Sequence, residues 1–314
     1  MVEVYGKVSM TDLRQSSSYA RYMASRGWIV TKVPPFSTSL IAQSRRASID
    51  VFLKKLPLVP FSVMKIQRSP LPDFRAVDLI AKKYRSILTI IEPGILAETL
   101  TSEVVAIFKS HGYRQGRWPL LPTLTLQVNL RLSPTTLLHS FKKDARYSVR
   151  KAQRFCRVKL LDLRSAGKLT YFSSSWKRYG RGFVPTPIDL RRLIEAFGNK
   201  AFVLGVYSRN DNLLAGTVIL RGDSCAWYYY AFTSPLGRLL SAGYLAVWEA
   251  MLEAKRRHCT AFDFEGIYDD RLPQLKRWKG FTVFKKKFSG KVVSYPGSFS
   301  RLRFPFSLPF HFLR

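Results

Sequence analysis

Carboxylates that alternate with aromatic residues begin the segment most suited to chemistry, AFDFEGIYDDRLPQLKRWKGFTVFKKKFSG at positions 261–290. Phe262 and Phe264 alternate with Asp263 and Glu265, as expected of a strand with one apolar face. The glycine that follows predicts a turn. We therefore expect the two carboxylates to lie where a strand end opens into a cleft.

Lysines between aromatic rings end the same segment, in the run FKKKF from Phe284 to Phe288. The pattern predicts a second strand on which Lys285 lies beside Phe284. An ammonium group there could bind an anionic substrate or stabilise charge that develops on a carbonyl oxygen during acyl transfer. A solvated strand face is the alternative explanation for such a run.

The chain is strongly basic. Its 314 residues include 52 Lys and Arg against 20 Asp and Glu, a formal net charge of +32. Because such an excess repels itself in a compact fold, it favours a polyanionic partner such as RNA, anionic lipid or a pyrophosphate-bearing lipid. The length suits one large domain or two ordinary ones, and the 46% hydrophobic content can fill a core.

Metal, disulfide and membrane-spanning signals are missing from the sequence pattern. The three cysteines and four histidines are scattered, so we predict no disulfide framework, no metal and no cofactor. The start of the chain lacks the apolar core of a signal peptide, and no apolar stretch reaches roughly 18 residues. We expect a cytoplasmic protein, with peripheral contact to an anionic membrane surface on the inner face of the plasma membrane. The tail 295–314, rich in Phe and Arg, either provides that contact or packs on the domain.

Hydrophobic periodicity predicts two successive units of mixed α/β (α+β) structure. In the second half the order is three strands, a helix and two strands, which is typical of the GCN5-related acetyltransferase (GNAT) fold. We predict two tandem GNAT-like domains, each with a mostly antiparallel twisted sheet flanked by helices. The boundaries are 1–132 for a degenerate first domain, 133–297 for a catalytic domain and 298–314 for a basic aromatic tail. Ser133 and Pro134 mark the first boundary as a helix start.

Several motifs of the second half occur together, in order, in one known family. They are FKKDARYSVRKAQRF with Arg146 and Arg150, WKRYGRGF with Arg181, AFDFEG with Asp263, and GFTVFKKKFSG with Lys285. In this the chain resembles the FemABX family of peptidoglycan bridge-forming aminoacyltransferases. The resemblance runs from about Leu121 to Gly297, whereas the first half contributes only QSSSYARYMASRGW.

The resemblance implies a compact, double GNAT-like enzyme without a coiled-coil insertion, and we expect it to be a monomer. Its donor would be aminoacyl-tRNA, and its acceptor a muropeptide precursor that is lipid-linked or nucleotide-linked. Lys285 would stabilise the carbonyl oxygen or anchor the tRNA end, and Phe284 would stack on the terminal adenine. Asp263 would accept a hydrogen bond from the attacking ammonium or orient a neighbouring cation.

The acceptor side is expected to use Arg181 with one or both of Tyr229 and Tyr230, since arginine makes bidentate contacts to phosphate. Because strand residues alternate, Tyr229 should face opposite to Tyr228 and Tyr230. Which tyrosine faces the cleft stays open. Arg146 and Arg150 share a helix and either order substrate phosphates or cover the surface.

Two other functions compete with this interpretation. An acyl-CoA-dependent N-acyltransferase normally carries a (Gln/Arg)-x-x-Gly-x-(Gly/Ala) turn whose amides hold the pyrophosphate. The corresponding segment here, SPLGRLLSAG at 234–243, lacks that spacing. The other competitor is a non-catalytic protein that binds RNA or membrane on the same fold, which the charge would suit equally.

Overall fold

The chain divides into two compact units, each built from two separate stretches of sequence. The larger unit comprises Met1–Tyr22 and Leu124–Val293, and the smaller unit comprises Met23–Thr123 and Ser294–Arg314. The computed structural model describes residues 11–36, 48–116, 118–180 and 185–303. Each unit contains its own sheet and its own apolar core.

The strands of the described residues form two sheets. In chain order they are β1 (Ile29–Val33), β2 (Ile49–Lys55), β3 (Ser62–Ser69), β4 (Ser86–Pro93), β5 (Arg114–Gln115), β6 (Leu124–Asn129), β7 (Cys156–Leu160), β8 (Ala201–Ser208), β9 (Leu213–Arg221), β10 (Cys225–Thr233), β11 (Ala261–Gly266), β12 (Lys291–Ser294) and β13 (Phe299–Leu302).

The helices of the described residues flank these sheets. They are α1 (Ser17–Ser25), α2 (Phe74–Lys83), α3 (Ser102–Ser110), α4 (Pro134–Ser140), α5 (Lys143–Phe155), α6 (Ala166–Tyr179), α7 (Pro187–Phe197), α8 (Pro235–Leu239), α9 (Ala242–Arg256) and α10 (Lys279–Lys286). Their starts follow ordinary capping chemistry. The side chains of Asp73, Thr101, Ser133 and Thr186, for example, each accept a hydrogen bond from a first-turn amide.

The smaller unit has a sheet of six strands in the order β1-β2-β3-β4-β13-β5. Only β3 and β4 pair in parallel, and α2 connects them. The other pairs are antiparallel. A parallel pair requires such a crossover because its two strands run in the same direction.

The larger unit has a sheet of seven strands in the order β12-β6-β11-β10-β9-β8-β7. Its parallel pair is β10 and β11, connected through α8 and α9. The apolar face of α9, including Leu245, Val247 and Met251, is buried in the main core. Both units thus contain three strands, a helical crossover and a fourth strand parallel to the third.

The observed units differ from the predicted division into 1–132, 133–297 and 298–314. Strand β6 precedes the predicted boundary but pairs with β11 in the larger sheet. Strand β13 lies in the predicted tail but pairs with β4 in the smaller sheet. Sheet pairing joins distant segments of the chain. A division into consecutive ranges therefore assigns β6 and β13 to the wrong sheets. The rest of the tail, 304–314, lies outside the described residues.

The predicted second strand around Lys285 is wrong, because residues 279–286 form helix α10. The β-favouring run GFTVF suggested a strand. Phe284 and Phe288, however, lie four residues apart, and their rings meet at 5.3 Å, as residues i and i+4 do around a helical turn. Tertiary packing against the ring of Tyr244 at 4.9 Å from Phe284 therefore overrides local propensity.

Candidate active site

Lys285 projects from α10 to the end of β11, in the larger unit. Its Nζ donates to the carbonyl oxygens of Phe264 and Gly266, both at 2.7 Å. It also lies 4.8 Å from the ring centre of Phe281. Burial lowers the pKa of Lys285 to about 8, while the charges of Glu265 and Asp263 oppose that shift. The ammonium is therefore fixed in place, and it titrates close to neutral pH.

The two carbonyls are available because the sheet opens at this point. The parallel ladder between β10 and β11 ends at the pair Trp227 and Asp263, although β10 continues to Thr233. On the other side of β11 the register shifts between Asp263 and Gly266. Beyond the last parallel pair, Lys285 supplies the donor that a neighbouring strand would otherwise provide.

Glu265 lies in the bulge of β11, where the register with β6 shifts between Asp263 and Gly266. Its φ of 59° lies in the left-handed region, which side chains other than glycine and asparagine rarely adopt. Its amide donates to Oδ1 of Asp263 at 2.6 Å. This local hydrogen bond holds the strained residue, and with it the carbonyls that flank it in sequence.

Asp263 is buried beneath the bulge, with 4% of its surface exposed. Oδ1 accepts from the amide of Glu265 and from the hydroxyl of Thr125, and Oδ2 accepts from Nε2 of Gln127 at 2.9 Å. Burial raises the pKa of Asp263 to about 6, with the charge of Glu265 adding to the shift. Because protein donors occupy both oxygens, the geometry favours a carboxylate that positions the bulge over one that contacts substrate.

Arg14 reaches the same place from the start of the chain. Its Nη2 donates to Oε2 of Glu265 at 2.8 Å, and its backbone amide donates to Asp12 at 2.8 Å. The side chains of Arg14 and Glu265 are 7% and 16% exposed, so water screens this ion pair only weakly. Because the amide of Glu265 also donates to Asp263, Glu265 connects Arg14 with Asp263 in one charged cluster of the larger unit.

A bulge in β10 also changes the predicted orientation of the tyrosines. Tyr228 pairs with Ile219 and Tyr230 with the adjacent Val218, so Tyr229 is the extra residue. The rings of Tyr229 and Tyr230 meet at 4.6 Å, whereas Tyr228 packs on the opposite, α9 side against the ring of Phe264. The expected alternation, with Tyr229 opposite to Tyr230, is therefore wrong.

The two remaining tyrosines have different surroundings. Tyr230 meets Trp176 of α6 edge-on at 4.8 Å. Burial raises the pKa of Tyr229, with Tyr19 and Tyr230 adding to the shift and Arg14 opposing it. Burial also raises the pKa of Tyr19 to about 12. Tyr229 is thus the tyrosine that lies in the electrostatic neighbourhood of Arg14 and Tyr19.

The other predicted substrate-binding residues are not gathered here as a group. Phe284 is partly buried, edge-on to Tyr244 and Phe288. Arg146 donates from Nη1 to the carbonyls of the α4–α5 turn, 2.9 Å to His139 and 2.6 Å to Phe141. These contacts give both side chains a structural role. Arg150 is exposed on α5, and Arg181 lies outside the described residues.

Sequence reasoning missed Arg14, Thr125 and Gln127. For the last two a signal exists, since polar residues alternate with Leu126 and Val128 along a strand in the interior of the sheet. Such alternation predicts one apolar face and one polar face. For Arg14 no local pattern exists, because its partner lies 251 positions away.

The described residues offer no metal centre, since no group of three or more His, Cys, Asp or Glu side chains is placed to hold an ion. Among those residues no helix is long and apolar enough to cross a membrane.

Comparison with known proteins relates this geometry to one family. Residues 204–306, which contain Tyr229, Asp263 and Lys285, match the sequence model of the FemAB family. No curated protein matches the chain.

Solved structures match over both units. FemX aligns with a TM-score of 0.75 at 16% identity, over 93% of this chain and 92% of FemX. L-PGS from Bacillus licheniformis gives 0.54 at 12% identity, over 92% and 88% of the two chains. A tandem GNAT protein from the clavulanic acid biosynthesis pathway gives 0.51 at 10% identity, over 84% and 82%.

At these identities the structural likeness shows the fold, and it confirms the predicted tandem GNAT-like α+β architecture. The matching family segment contains the bulged strand and the lysine-bearing helix of the site. Residues 204–306 thus resemble the FemAB family in sequence, and the chain has the fold of FemX.

Proposed function

We propose that this protein is an aminoacyltransferase that moves an amino acid from aminoacyl-tRNA to the amine of a peptidoglycan-precursor stem peptide. The match of residues 204–306 to the FemAB family supports the acyltransferase class, and the FemX-like fold agrees with it. The observation that carries the proposal is the Lys285 ammonium, held by two carbonyls at the open end of β11. We place the reaction in the cytoplasm, where aminoacyl-tRNA is available.

The reaction exchanges an ester for an amide. The neutral amine of the acceptor attacks the carbonyl carbon of the aminoacyl ester, and a C–N bond forms. The C–O bond to the terminal ribose of the tRNA then breaks, and the ribose oxygen takes up a proton as the amine loses one. Negative charge develops on the carbonyl oxygen between these events, so a fixed positive donor accelerates the step.

Lys285 suits the role of that donor. An ammonium has three N–H bonds, and Phe264 and Gly266 use two of them. Among the described residues Nζ of Lys285 has no third hydrogen-bond acceptor, which leaves one N–H for the substrate oxygen. A pre-oriented donor of this kind is worth roughly 3–4 kcal/mol of barrier lowering.

Asp263, Glu265 and Arg14 act on Lys285 indirectly in this proposal. The hydrogen bonds to Asp263 hold the bulge, and the bulge presents the two carbonyls. Arg14 pairs with Glu265, so Glu265 does not form an ion pair with Lys285. The ammonium of Lys285 therefore stays available to the substrate.

The acceptor is proposed to bind through Tyr229, Tyr230 and Arg181, its pyrophosphate meeting the arginine. On the donor side, the terminal adenine is proposed to stack on the partly buried ring of Phe284. Lipid-linked and nucleotide-linked precursors share the stem peptide and the phosphate, so both are tested below.

An acyl-CoA donor is disfavoured by the backbone of the α8 turn. The amide of Gly237 donates to Oγ of Ser234 at 3.0 Å. The next amides donate within the same turn, Arg238 to Ser234 at 2.9 Å and Leu240 to Leu236 at 2.9 Å. Amides that already have partners are not available to a CoA pyrophosphate.

The test is transfer by the purified full chain. The protein is incubated with tRNA charged with labelled amino acids, and with either the nucleotide-linked or the lipid-linked precursor. We expect label in one precursor. Transfer should fall at least about 100-fold in Lys285→Ala, as expected for a lost oxyanion donor. The matched control is Lys286→Ala, which removes an exposed lysine from the same helix and should retain most of the activity.

Two results would contradict the proposal. One is normal transfer by a folded Lys285→Ala variant. The other is acylation of the precursor from acetyl-CoA in the absence of tRNA, which would favour the CoA-dependent alternative.

A further inference from the structure

The turn between β2 and β3, in the smaller unit, presents apolar side chains to solvent. Its sequence from 56 to 61 is LPLVPF, closed by a hydrogen bond from the amide of Leu56 to the carbonyl of Phe61 at 2.9 Å. Leu58 at the tip has a relative exposure of 104%, and its neighbour Val59 is 45% exposed. Leu58 thus exposes its whole side chain without packing against the protein.

The backbone of this tip does not favour leucine. Leu58 has a φ of 64°, in the left-handed region where glycine or asparagine is expected. A leucine there strains the backbone and gains no packing within the fold, so stability does not account for it. Pro57 and Pro60 lack amide hydrogens, which reduces the number of backbone donors that would lose water in an apolar medium.

Several cations lie beside the base of the turn. Ser62, the first residue of β3, fixes their position, because its amide donates to the carbonyl of Arg85 at 3.2 Å and its hydroxyl donates to that of Tyr84 at 2.9 Å. On the other strand Lys55 pairs with Ser62. The last turn of α2 therefore lies beside the turn. The exposed cations at this end are Lys55, Lys82, Lys83 and Arg85.

The two segments that carry these cations contain no carboxylate. Residues 54–63 and 82–88 contain no Asp or Glu. An apolar tip with four cations beside its base matches the profile of an anionic bilayer, with acyl chains below and phosphates at the surface.

We propose that the β2–β3 turn docks the protein onto an anionic lipid bilayer. Leu58 and Val59 enter the headgroup region, and the four cations meet the lipid phosphates. RNA fits the surface less well, since aliphatic side chains neither stack on bases nor donate hydrogen bonds. This inference concerns the smaller unit and does not depend on the transfer reaction proposed above.

The experiment measures cosedimentation of the full chain with vesicles. One set contains phosphatidylglycerol in phosphatidylcholine, and the other contains phosphatidylcholine alone. We expect binding to the anionic set only, weakened by salt. The double variant Leu58→Ser/Val59→Ser should bind at least about tenfold more weakly, because both apolar contributions are lost. Lys82→Gln/Lys83→Gln should bind more weakly and lose part of the salt dependence.

Two further variants separate docking from folding. Leu58→Gly removes the side chain while relieving the left-handed strain, so vesicle binding should fall while the thermal midpoint is unchanged or rises. Leu79→Ser removes another exposed leucine, 69% exposed on α2 of the same unit, and should leave binding unchanged. The proposal is overturned if Leu58→Gly binds as the parent does, or if Leu79→Ser weakens binding equally. It is also overturned if the turn variants lose binding to tRNA instead of to vesicles.

Discussion

Arg14 and Glu265 are 251 positions apart in the sequence, yet Nη2 of one donates to Oε2 of the other at 2.8 Å. The pair lies beside the bulge of β11 that presents two carbonyls to Lys285. It therefore joins the first described residues of the chain to the proposed reaction centre. The charge of Glu265 also raises the pKa of Lys285 against the effect of burial.

Removing the charge of Glu265 should therefore alter the titration of Lys285. In Glu265→Gln the lysine loses a neighbouring negative charge, so its pKa falls further below about 8. We expect the alkaline limb of the transfer rate to move to lower pH. Initial rates measured between pH 6 and 9 would check this, with hydrolysis of the aminoacyl ester subtracted. An unchanged alkaline limb would mean that the charge of Glu265 does not affect the pKa of Lys285.

Arg14→Met tests the other side of the ion pair. Methionine fills much of the volume but leaves a partly buried carboxylate without its cation, so the free energy of unfolding should fall by about 3 kcal/mol. Denaturant unfolding measures this value. The double variant Arg14→Met/Glu265→Gln should be more stable than Arg14→Met alone, since no unpaired charge remains. Strictly additive losses would mean that the two side chains are not coupled.

For the unaltered protein, we expect transfer to decline above about pH 8. Lys285 has a lowered pKa of about 8, so its protonated form is lost as pH rises through that value. The attacking amine gains reactivity over the same range, which makes the rate bell-shaped. The profile of kcat/KM, measured with fixed aminoacyl-tRNA, gives the midpoint. Lys285→Arg should abolish the alkaline limb, because guanidinium does not titrate there.

Asp263 predicts a pH dependence of stability. Its pKa is raised from 3.8 to about 6 by burial, so the folded state binds a proton more tightly than the unfolded state. The resulting stabilisation is complete below about pH 4 and is lost as pH rises through 6, a change of roughly 2–3 kcal/mol. Asp263→Asn does not titrate, so its stability should fall less than that of the parent between pH 4 and 6.5. Parallel curves for the two proteins would contradict this.

The sequence predicted the architecture and the chemistry-bearing segments better than their local shapes. Alternation in AFDFEG and the three-strand, helix, strand order are local patterns, and both the strand and the tandem fold are confirmed. The strand predicted at Lys285 failed because aromatic packing around Tyr244 decides helix over strand there. No local sequence pattern predicts the left-handed conformation of Glu265 or the bulge at Tyr229.

Long-range pairing also explains why the observed units differ from the predicted domain boundaries. Strand β13 pairs with β4, and β6 pairs with β11, so both assignments depend on contacts between distant segments. The charge of Arg14 has the same character, since only the fold shows which carboxylate it meets.

The two glycines of GFTVFKKKFSG, Gly280 and Gly290, provide a final prediction. A Cβ on Gly290 would lie 2.6 Å from Cγ of Leu126 and 2.8 Å from the carbonyl oxygen of Gln127, and the latter is backbone. Gly290→Ala must therefore displace β6, which holds Asp263 through Gln127. We expect the free energy of unfolding to fall by about 2 kcal/mol and the transfer rate to fall with it.

Gly280→Ala is the matched control on α10, where nothing lies within 4 Å of the added atom. Alanine favours a helix, so stability should be unchanged or raised by up to about 0.5 kcal/mol. Urea unfolding and transfer assays on both variants would check the pair, and equal behaviour would show that Gly290 does not support the site.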